Sequence, residues 1–448
     1  MKCYIETLGC ARNQVDSEVL AGHLSLAGFP GVDNPESAEI IIINTCGFIQ
    51  DAIDNSIDTI LELAAYRREG SCRYLIVGGC LPERFQEDIL ESLPEVDFFA
   101  GTAAYFSILS FLEKGEAFIR EKGSLFCPDP VTAPLQTSEM ERHRTQVHTA
   151  YLKVAEGCSR HCTYCIIPML RGVQRSRSLE DIVAEARNLT ESGVRELVLV
   201  AQETTDWGKD LARDQTICDL VRAVCDTVGD GVWVRLLYGH PESLSDDLLD
   251  LMAEKKNFCS YLDLPVQHAS DTVLRRMGRH YTRSDLYSLF SRIREKVKDV
   301  VLRTTLITGF PGESEEDFLE LLEFVRTMRF DHLGVFTYSD MEDLPSHHLK
   351  KHVPPEIAAA RRDAVMEVQA GISWEKNRQR LGERYPVLIE KLSEGELAEG
   401  RTPFQAPEVD GITYVDGSGF QVGDVVLLEI TDAFDYDLAG NVVDGWEV

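Results

Sequence analysis

The first hundred residues repeat one unit three times: an apolar run with strand character, a turn carrying glycine and cysteine, and a segment with helical spacing. Residues 2–8 read as a strand that stops at Gly9-Cys10, and residues 16–26 then have helical spacing with Val15, Val19, Leu20, His23 and Leu24. Residues 38–43 read as a buried strand ending in Asn44-Thr45-Cys46-Gly47. Residues 73–77 end in Gly78-Gly79-Cys80, and Leu81-Pro82 opens the next helix. Strands that alternate with helices pack as a parallel sheet, and ligands of such sheets sit outside the strands' carboxyl ends. Cys10, Cys46 and Cys80 all occupy that edge, each beside a glycine that lets the backbone approach closely. A single such cysteine is ordinarily a small buried hydrophobe. Three in equivalent positions predict joint ligation of an iron–sulfur cluster.

A second trio lies in one loop, Glu156-Gly157-Cys158-Ser159-Arg160-His161-Cys162-Thr163-Tyr164-Cys165. A cubane cluster usually takes four thiolates, so three leave one iron open to a small molecule. Two other readings stand beside this one. A zinc knuckle would use His161 as a further ligand. A redox pair would use Cys162 and Cys165, although a third nearby thiol and the lack of a strand-to-helix setting weigh against it. Twelve cysteines in 448 residues are too few for a disulfide scaffold, which points to a reducing compartment and to metal binding for those that cluster. Cys218 and Cys225 fall on one apolar helix face, and Cys3, Cys72, Cys127 and Cys259 have no partner pattern, so these six read as structural.

The fold class is α/β. Residues 1–126 form an N-terminal parallel α/β domain, and 127–144, rich in Pro, Thr and charge, read as a linker. In 145–376, strands are expected at 150–155, 196–201, 232–237, 261–264, 300–308 and 332–338. Helices such as 179–192 and 314–328 fall between them. This is the pattern of a partial (βα)6 barrel with its chemistry at the strand C-termini. The cysteine loop follows the first strand, Gln202-Glu203-Thr204 the second, Gln267-His268 the fourth, and Gly309-Phe310-Pro311-Gly312-Glu313 the fifth. Glu203 is suited to accept from an ammonium and Arg303 to meet a carboxylate or ribose. The bland alternatives are that Gly309 and Gly312 only turn the chain into a helix capped by Ser314, that Arg303 pairs with an acid, and that His268 satisfies a core hydrogen bond. In 377–448, after a helical stretch at 354–380, short strands at 385–390, 395–401, 413–415 and 425–430 predict a small β-barrel.

The spacing from Cys158 to Cys162 and Cys165, with Tyr164 as the aromatic before the last thiol, resembles the radical S-adenosylmethionine (SAM) superfamily. That resemblance implies that SAM chelates the open iron, that its reductive cleavage yields a 5′-deoxyadenosyl radical, and that Tyr164 lies near the adenine. Gly9-Cys10-Ala11-Arg12-Asn13-Gln14-Val15-Asp16-Ser17-Glu18, Asn44-Thr45-Cys46 and Gly78-Gly79-Cys80 resemble the N-terminal domain of methylthiotransferases. Ala11, Arg12 and Gln14 stand where that family usually has Pro, Lys and Leu. The C-terminal barrel resembles a TRAM domain. What the resemblance implies is two [4Fe–4S] clusters, one held by Cys10, Cys46 and Cys80 and one by Cys158, Cys162 and Cys165. Tyr164, Gln202, Glu203, Gln267, Arg303, Gly309 and Phe310 would surround SAM. One SAM would methylate a sulfur on the first cluster, and a second would give the radical that takes a hydrogen from the substrate, whose carbon radical captures the methylthio group.

The charge bears on the substrate. A formal net charge of −30 opposes attraction to a phosphate backbone. From residue 385 to the end, fourteen acids face only Lys391 and Arg401, whereas an RNA-binding barrel should be basic. A basic protein partner is expected and no nucleic-acid substrate, though solubility alone would also account for the acids. Gly400-Arg401-Thr402-Pro403-Phe404-Gln405-Ala406-Pro407-Glu408-Val409-Asp410-Gly411 and Asp435-Tyr436-Asp437-Leu438 resemble the methylthiotransferase branch that modifies the β-carbon of an aspartate in small-subunit ribosomal protein twelve. Two alternatives are the sister branch, which acts on an isopentenylated adenosine of transfer RNA, and a non-enzymatic iron–sulfur sensor or scaffold. An electron donor such as a flavodoxin or ferredoxin, and a sulfur donor, complete the expected partners. No apolar run approaches a membrane span and Met1-Lys2-Cys3-Tyr4 does not open a signal peptide, so a cytoplasmic location is expected. Ser339-Asp340-Met341-Glu342-Asp343-Leu344-Pro345-Ser346 and Tyr238-Gly239-His240-Pro241 depart from the family pattern near the expected substrate mouth.

Overall fold

The structure is a computed structural model and describes residues 1–392 and 397–443. Glu394, Glu396, Asp444 and Glu447, counted among the acids of the tail, and the start of the strand expected at 395 lie outside the described residues. Strands β1 (Cys3–Thr7), β2 (Ile40–Thr45), β3 (Tyr74–Gly79), β4 (Phe98–Ala100) and β5 (Leu125–Phe126) form one parallel sheet in that spatial order. The run Ile40 to Ile43 is wholly apolar because both faces of the sheet are covered. Ile41 and Ile43 pack with Ile53 and Ile60 on one side, while Ile40 and Ile42 pack with Leu20, Leu24 and Phe111 on the other. β4 and β5 are too short to leave a periodic signal in the sequence. Helix α1 (Ala11–Leu26) starts directly after Cys10, not at residue 16. Its first turns bury Asn13, Asp16, Ser17 and Glu18, polar residues that a count of apolar spacing passes over.

The central region opens with β6 (Thr149–Lys153), followed by the short antiparallel pair β7 (Ala155–Glu156) and β8 (Arg175–Ser176), which brackets the cysteine loop. The strands β9 (Glu196–Val200), β10 (Trp233–Leu236), β11 (Tyr261–Asp263), β12 (Val301–Thr308) and β13 (His332–Thr337) follow. These six strands are the partial barrel expected from the alternation. Two three-stranded parallel halves, β10-β9-β6 and β11-β12-β13, meet through the bridge Val234–Phe258 and, one strand end further on, through the Gly239 N–H, which donates to the carbonyl of Asp263 at 2.9 Å. Helices such as Leu179–Glu191 and Glu315–Met328, whose N-termini are capped by Ser178 and Ser314, cover the outer face. The inner face does not enclose its own core. Tyr151, Val198, Val200 and Val301 point inward and pack with Ala11 and Val15 of α1 and with Phe404 and Ala406 from the C-terminal region.

After the helix Pro355–Arg378, strands β14 (Arg384–Leu392), β15 (Leu397–Arg401), β16 (Thr413–Asp416), β17 (Val425–Ala433) and β18 (Leu438–Val442) close a barrel in the order β14-β15-β16-β18-β17. β18 was not anticipated, because Gly440 and Asn441 interrupt its apolar pattern. The loop after β15 enters the half-barrel at the end where Thr149, Glu196 and Tyr261 begin their strands, opposite the cysteine loops. There Arg401, 2% exposed, bridges Glu196 at 2.5 Å and Glu390 at 2.6 Å. Arg235 meets Glu196 at 2.7 Å and the carbonyl of Pro403 at 2.9 Å. Asp410 accepts from the Tyr261 hydroxyl at 2.6 Å and lies 3.5 Å from Arg303. Several acids of the tail are therefore consumed internally, Glu390 and Asp410 here and Glu429 by Arg384, which narrows the charge left to attract a partner.

The segment between β5 and β6, anticipated as a plain linker, has no regular structure but is firmly tied. Arg142 pairs with Glu18 of α1 and with Glu185 of an outer helix, both at 2.6 Å. Among the described residues no helix is long and apolar enough to cross a membrane. Arg401→Ala leaves Glu390 unpaired and Glu196 with Arg235 alone, and removing one partner of a buried ion pair costs about 3–5 kcal/mol. The expected result is a lower urea midpoint together with earlier proteolytic release of the C-terminal barrel; a midpoint like that of the parent chain would remove this bridge as the tether.

Candidate active site

Because β1, β2 and β3 are direct neighbours, the turns that follow them bring Cys10, Cys46 and Cys80 side by side. Gly9 makes this possible: it has φ +97°, and a Cβ there would fall 2.9 Å from Cys46 Cβ and 3.2 Å from its Sγ. Gly157 serves the other trio, since at φ +80° a side chain would lie 2.2 Å from the carbonyl oxygen of Val173, against which the loop packs. All six cysteines, Cys10, Cys46, Cys80, Cys158, Cys162 and Cys165, line one cavity of about 310 Å³. None is in a disulfide. Among the described residues no three Cys, His, Asp or Glu side chains converge tightly enough to hold a single metal ion. A cubane asks for a wider arrangement, because each thiolate meets a different iron.

A buried ion network joins the two trios. Arg171 donates to Asp16 at 2.8 Å, to Asn13 at 2.7 Å and to Glu156 at 3.2 Å, and the nitrogen that meets Asn13 also lies 3.9 Å from Cys80 Sγ. Lys153, at the end of β6, pairs with Asp16 and, at 2.9 Å, with Glu156. Gln202 donates to Glu156 at 2.6 Å. Burial opposes ionisation of Glu156, but Lys153 and Arg171 outweigh it and hold the carboxyl well below the usual range. The thiols differ in the same way. Burial works against the Cys10 thiolate, yet the guanidinium groups of Arg12 and Arg171 and nearby backbone N–H groups bring its pKa below the ordinary value. Burial dominates at three others, pushing Cys80 and Cys158 up to about 11 and Cys165 up to about 12.

Of the other residues anticipated, Tyr164, Gln202, Glu203 and Gln267 line the cavity. The Tyr164 hydroxyl accepts from Arg279 at 2.7 Å. Gln202 and Gln267 each keep a buried carbonyl oxygen with no hydrogen-bond partner. Such acceptors on a cavity wall suit the ammonium and hydroxyl donors of SAM, and the thiol sets suit iron, so the residues present fit the cofactors that the sequence implies. Glu203 differs from expectation. It is buried and already held by Arg160 at 2.7 and 3.0 Å and by the Ser243 hydroxyl at 2.6 Å, so it is not an open acceptor.

Arg303, Gly309 and Phe310 lie outside the cavity lining. Arg303 pairs with Asp263 at 2.9 Å and faces Asp410, which is the bland alternative for it. Gly309 is needed where the helix Pro355–Arg378 passes, because a Cβ would meet that of Ala358 at 2.3 Å. Phe310 packs edge-on behind Tyr164, ring centres 6.2 Å apart. His268 is fully buried, 3.8 Å from Glu313, and belongs to the core.

The cavity also uses residues that sequence reasoning did not assign: Arg12, Asn13, Arg171, Tyr238 and Arg279. Tyr238 at φ 61° and Gln267 at φ 70° hold a left-handed backbone that is uncommon without glycine and that concentrates at functional sites. Arg12 lies over the Tyr238 ring at 4.3 Å and donates to the carbonyl of Ala201 at 3.1 Å. The signal for Arg171 was a lone charge closing the run Ile166-Ile167-Pro168-Met169-Leu170. Tyr238 and Arg279 left none beyond the departure noted at Tyr238-Gly239-His240-Pro241.

Comparison with known proteins accords with this geometry. Residues 152–325 match the radical SAM superfamily, 2–101 match uncharacterized protein family UPF0004, and 381–443 match the TRAM domain. A protein of Desulfosudis oleivorans named ribosomal protein uS12 methylthiotransferase RimO is 50% identical over 441 residues, which is 98% of this chain and 99% of that one. The protein of the same name from Lachnoclostridium phytofermentans is 43% identical, over 98% of this chain and 99% of that protein. Among solved structures, the radical S-adenosylmethionine methyltransferase TsrM of Kitasatospora setae aligns with a TM-score of 0.57 at 12% identity, over 83% of this chain and 89% of that one. At that identity the likeness is one of fold.

The contrast among the thiols has a direct readout. In the metal-free chain under reducing, anaerobic conditions at about pH 7.5, iodoacetamide should label Cys10 ahead of Cys80, Cys158 and Cys165, because the thiolate is the nucleophile. Since the Cys10 pKa is depressed, its rate should level off at lower pH than theirs, and Arg12→Gln should slow it several-fold. Peptide mass spectrometry that found Cys10 last would show that burial, not the two guanidinium groups, governs it.

Proposed function

The chain belongs to the RimO family of ribosomal protein uS12 methylthiotransferases, and from that membership we propose that it places a methylthio group on the β-carbon of an aspartate in the basic ribosomal protein uS12. It is a radical SAM enzyme. When bound, two [4Fe–4S] clusters and SAM supply the electron, the hydrogen-abstracting 5′-deoxyadenosyl radical and the methylated sulfur.

In this proposal Cys158, Cys162 and Cys165 hold the cluster that binds SAM, and Cys10, Cys46 and Cys80 hold the cluster that carries sulfur. The free carbonyl oxygens of Gln202 and Gln267 accept from SAM. Tyr164, fixed by Arg279 and backed by Phe310, offers a ring face to the adenine. Phe48, Ile167, Leu170 and Pro265 line the apolar part of the cavity and keep water and stray hydrogen donors from the reacting carbon. An electron carrier such as a flavodoxin or ferredoxin and a separate sulfur donor act with it, in the cytoplasm where the ribosomal substrate is made. The single observation that carries the proposal is that six thiols from two regions distant in sequence line one cavity. Methyl transfer and radical capture need sulfur and substrate carbon within one enclosure.

The test is anaerobic reconstitution. About two cubanes, about eight irons per chain, are expected, falling to about one in Cys10→Ala/Cys46→Ala/Cys80→Ala and in Cys158→Ala/Cys162→Ala/Cys165→Ala. With dithionite, only variants that retain the second trio should release 5′-deoxyadenosine. Mass spectrometry of uS12 should show one added methylthio group with the parent chain and none with either variant. A methylthiolated transfer RNA and unmodified uS12 would move the substrate to the nucleic-acid branch. Cluster absorbance without 5′-deoxyadenosine would leave only a sensor or scaffold.

A further inference from the structure

A chain with a formal charge of −30 is basic on the outer wall of its own cysteine loop. Residues 347–352 read His-His-Leu-Lys-Lys-His, and Ser346, just before them, donates its N–H to the carbonyl of Thr163 at 3.0 Å. Thr163 stands between Cys162 and Cys165. Its own N–H bonds the carbonyl of Met277 at 3.1 Å and its hydroxyl that of Arg276 at 2.8 Å, which puts Arg275 and Arg276 against the loop as well. The two basic stretches meet where Gly312 donates to the carbonyl of Lys351 at 2.7 Å and Arg276 reaches that of Pro311 at 3.3 Å. His161, Arg275, His348, Lys350 and Lys351 are exposed. Nearby acids do not cancel this charge. Asp343 is held by Arg84, which leaves Asp340, Glu342 and Asp271 beside the four side chains of Arg275, Arg276, Lys350 and Lys351. No carboxylate among the described residues pairs with Arg275, Arg276, Lys350 or Lys351.

We propose that this basic patch is the docking surface for an acidic one-electron carrier protein. The inference rests on the cluster assignment proposed for Cys158, Cys162 and Cys165. The thiols face the cavity, where SAM and substrate belong, so a protein that brings electrons from outside approaches most directly through the opposite wall of the same loop. One electron leaves the reduced carrier and enters the cluster, and no covalent bond of the protein forms or breaks. Charge decides the orientation. The acidic remainder of the chain repels an acidic carrier, while the patch attracts it, and steering of this kind raises association rates by about 10- to 1,000-fold at low salt. A nucleic-acid backbone would sense the same charge, but contact with the cluster loop gives it nothing to do there.

The experiment uses the full reconstituted chain, a flavodoxin as the probe, and two variants, Arg275→Glu/Lys350→Glu/Lys351→Glu and the milder Lys350→Ala/Lys351→Ala. Binding of oxidised flavodoxin is measured by calorimetry at low and high salt, and 5′-deoxyadenosine formation is followed with reduced flavodoxin and, separately, with dithionite. The charge reversal is expected to raise the flavodoxin Kd and half-saturating concentration more than about tenfold, with a smaller rise for the alanine pair. Salt should weaken parent binding, and the dithionite rate should stay within about twofold of the parent in both variants. Unchanged flavodoxin dependence in variants that remain active with dithionite would overturn the surface. So would a ribosomal RNA fragment that binds the patch with the same charge dependence while flavodoxin does not. Failure of the parent chain itself to cleave SAM with dithionite would instead overturn the cluster assignment on which the inference stands.

Discussion

Four charges largely withdrawn from solvent hold the two cysteine trios in one chamber. Asp16 lies on α1, Lys153 ends the first barrel strand, Glu156 opens the cysteine loop and Arg171 follows it, so the network ties the N-terminal sheet to the barrel at the point where the thiols face each other. Moving such groups from water costs several kcal/mol per ion, and their mutual attraction offsets this only when nearly every donor and acceptor is matched. That demand for matching makes the network directional. Apolar surfaces tolerate sliding by a fraction of a side chain, whereas Arg171, held at once by Asp16, Asn13 and Glu156, fixes α1 and the loop in a single register. The spacing between the trios is therefore set by ionic geometry more than by hydrophobic contact.

The barrel depends on its neighbours for closure. Six strands in two loosely joined halves cannot seal an interior, and the inward residues Tyr151, Val198 and Val200 would be wet if left alone. Helix α1 covers them from the side, and the loop bearing Phe404 and Ala406 covers them from below. Carbon-radical chemistry needs an enclosure free of competing hydrogen donors. Here three segments far apart in sequence build that enclosure, which places the energetic cost of closure on contacts between regions.

Legibility in the sequence followed the range of the interactions. The six thiols were readable because each sits at a turn whose glycines and spacing are local, and the long strands because runs such as Ile40 to Ile43 admit little else. β4, β5 and β18 were hidden by brevity or by Gly440. The true start of α1 was hidden because its first turns bury polar side chains against another region. Arg171, Arg279 and Tyr238 take their roles from partners more than ninety positions away in chain order, such as Asp16 for Arg171 and Tyr164 for Arg279, and no window of sequence contains such a pair. Arg303 and Gly309 stayed open between two readings for the opposite reason: an arginine on an inward strand and a glycine before a helix look alike whether they serve a ligand or a packed neighbour. The acids of the tail were similarly ambiguous until Arg401, Tyr261 and Arg384 claimed several of them.

The way the C-terminal barrel is fastened has an evolutionary consequence. It is held by the loop bearing Phe404, by the Arg401 bridge and by the helix Pro355–Arg378, whose Asn377 donates to the carbonyl of Phe434 at 3.0 Å, while Tyr414, Asp416 and Asp432 on its strands stay open to solvent. Drift at those outward positions leaves the thiol chamber untouched. The outer face of this barrel can thus diversify between lineages while the buried chamber is inherited intact.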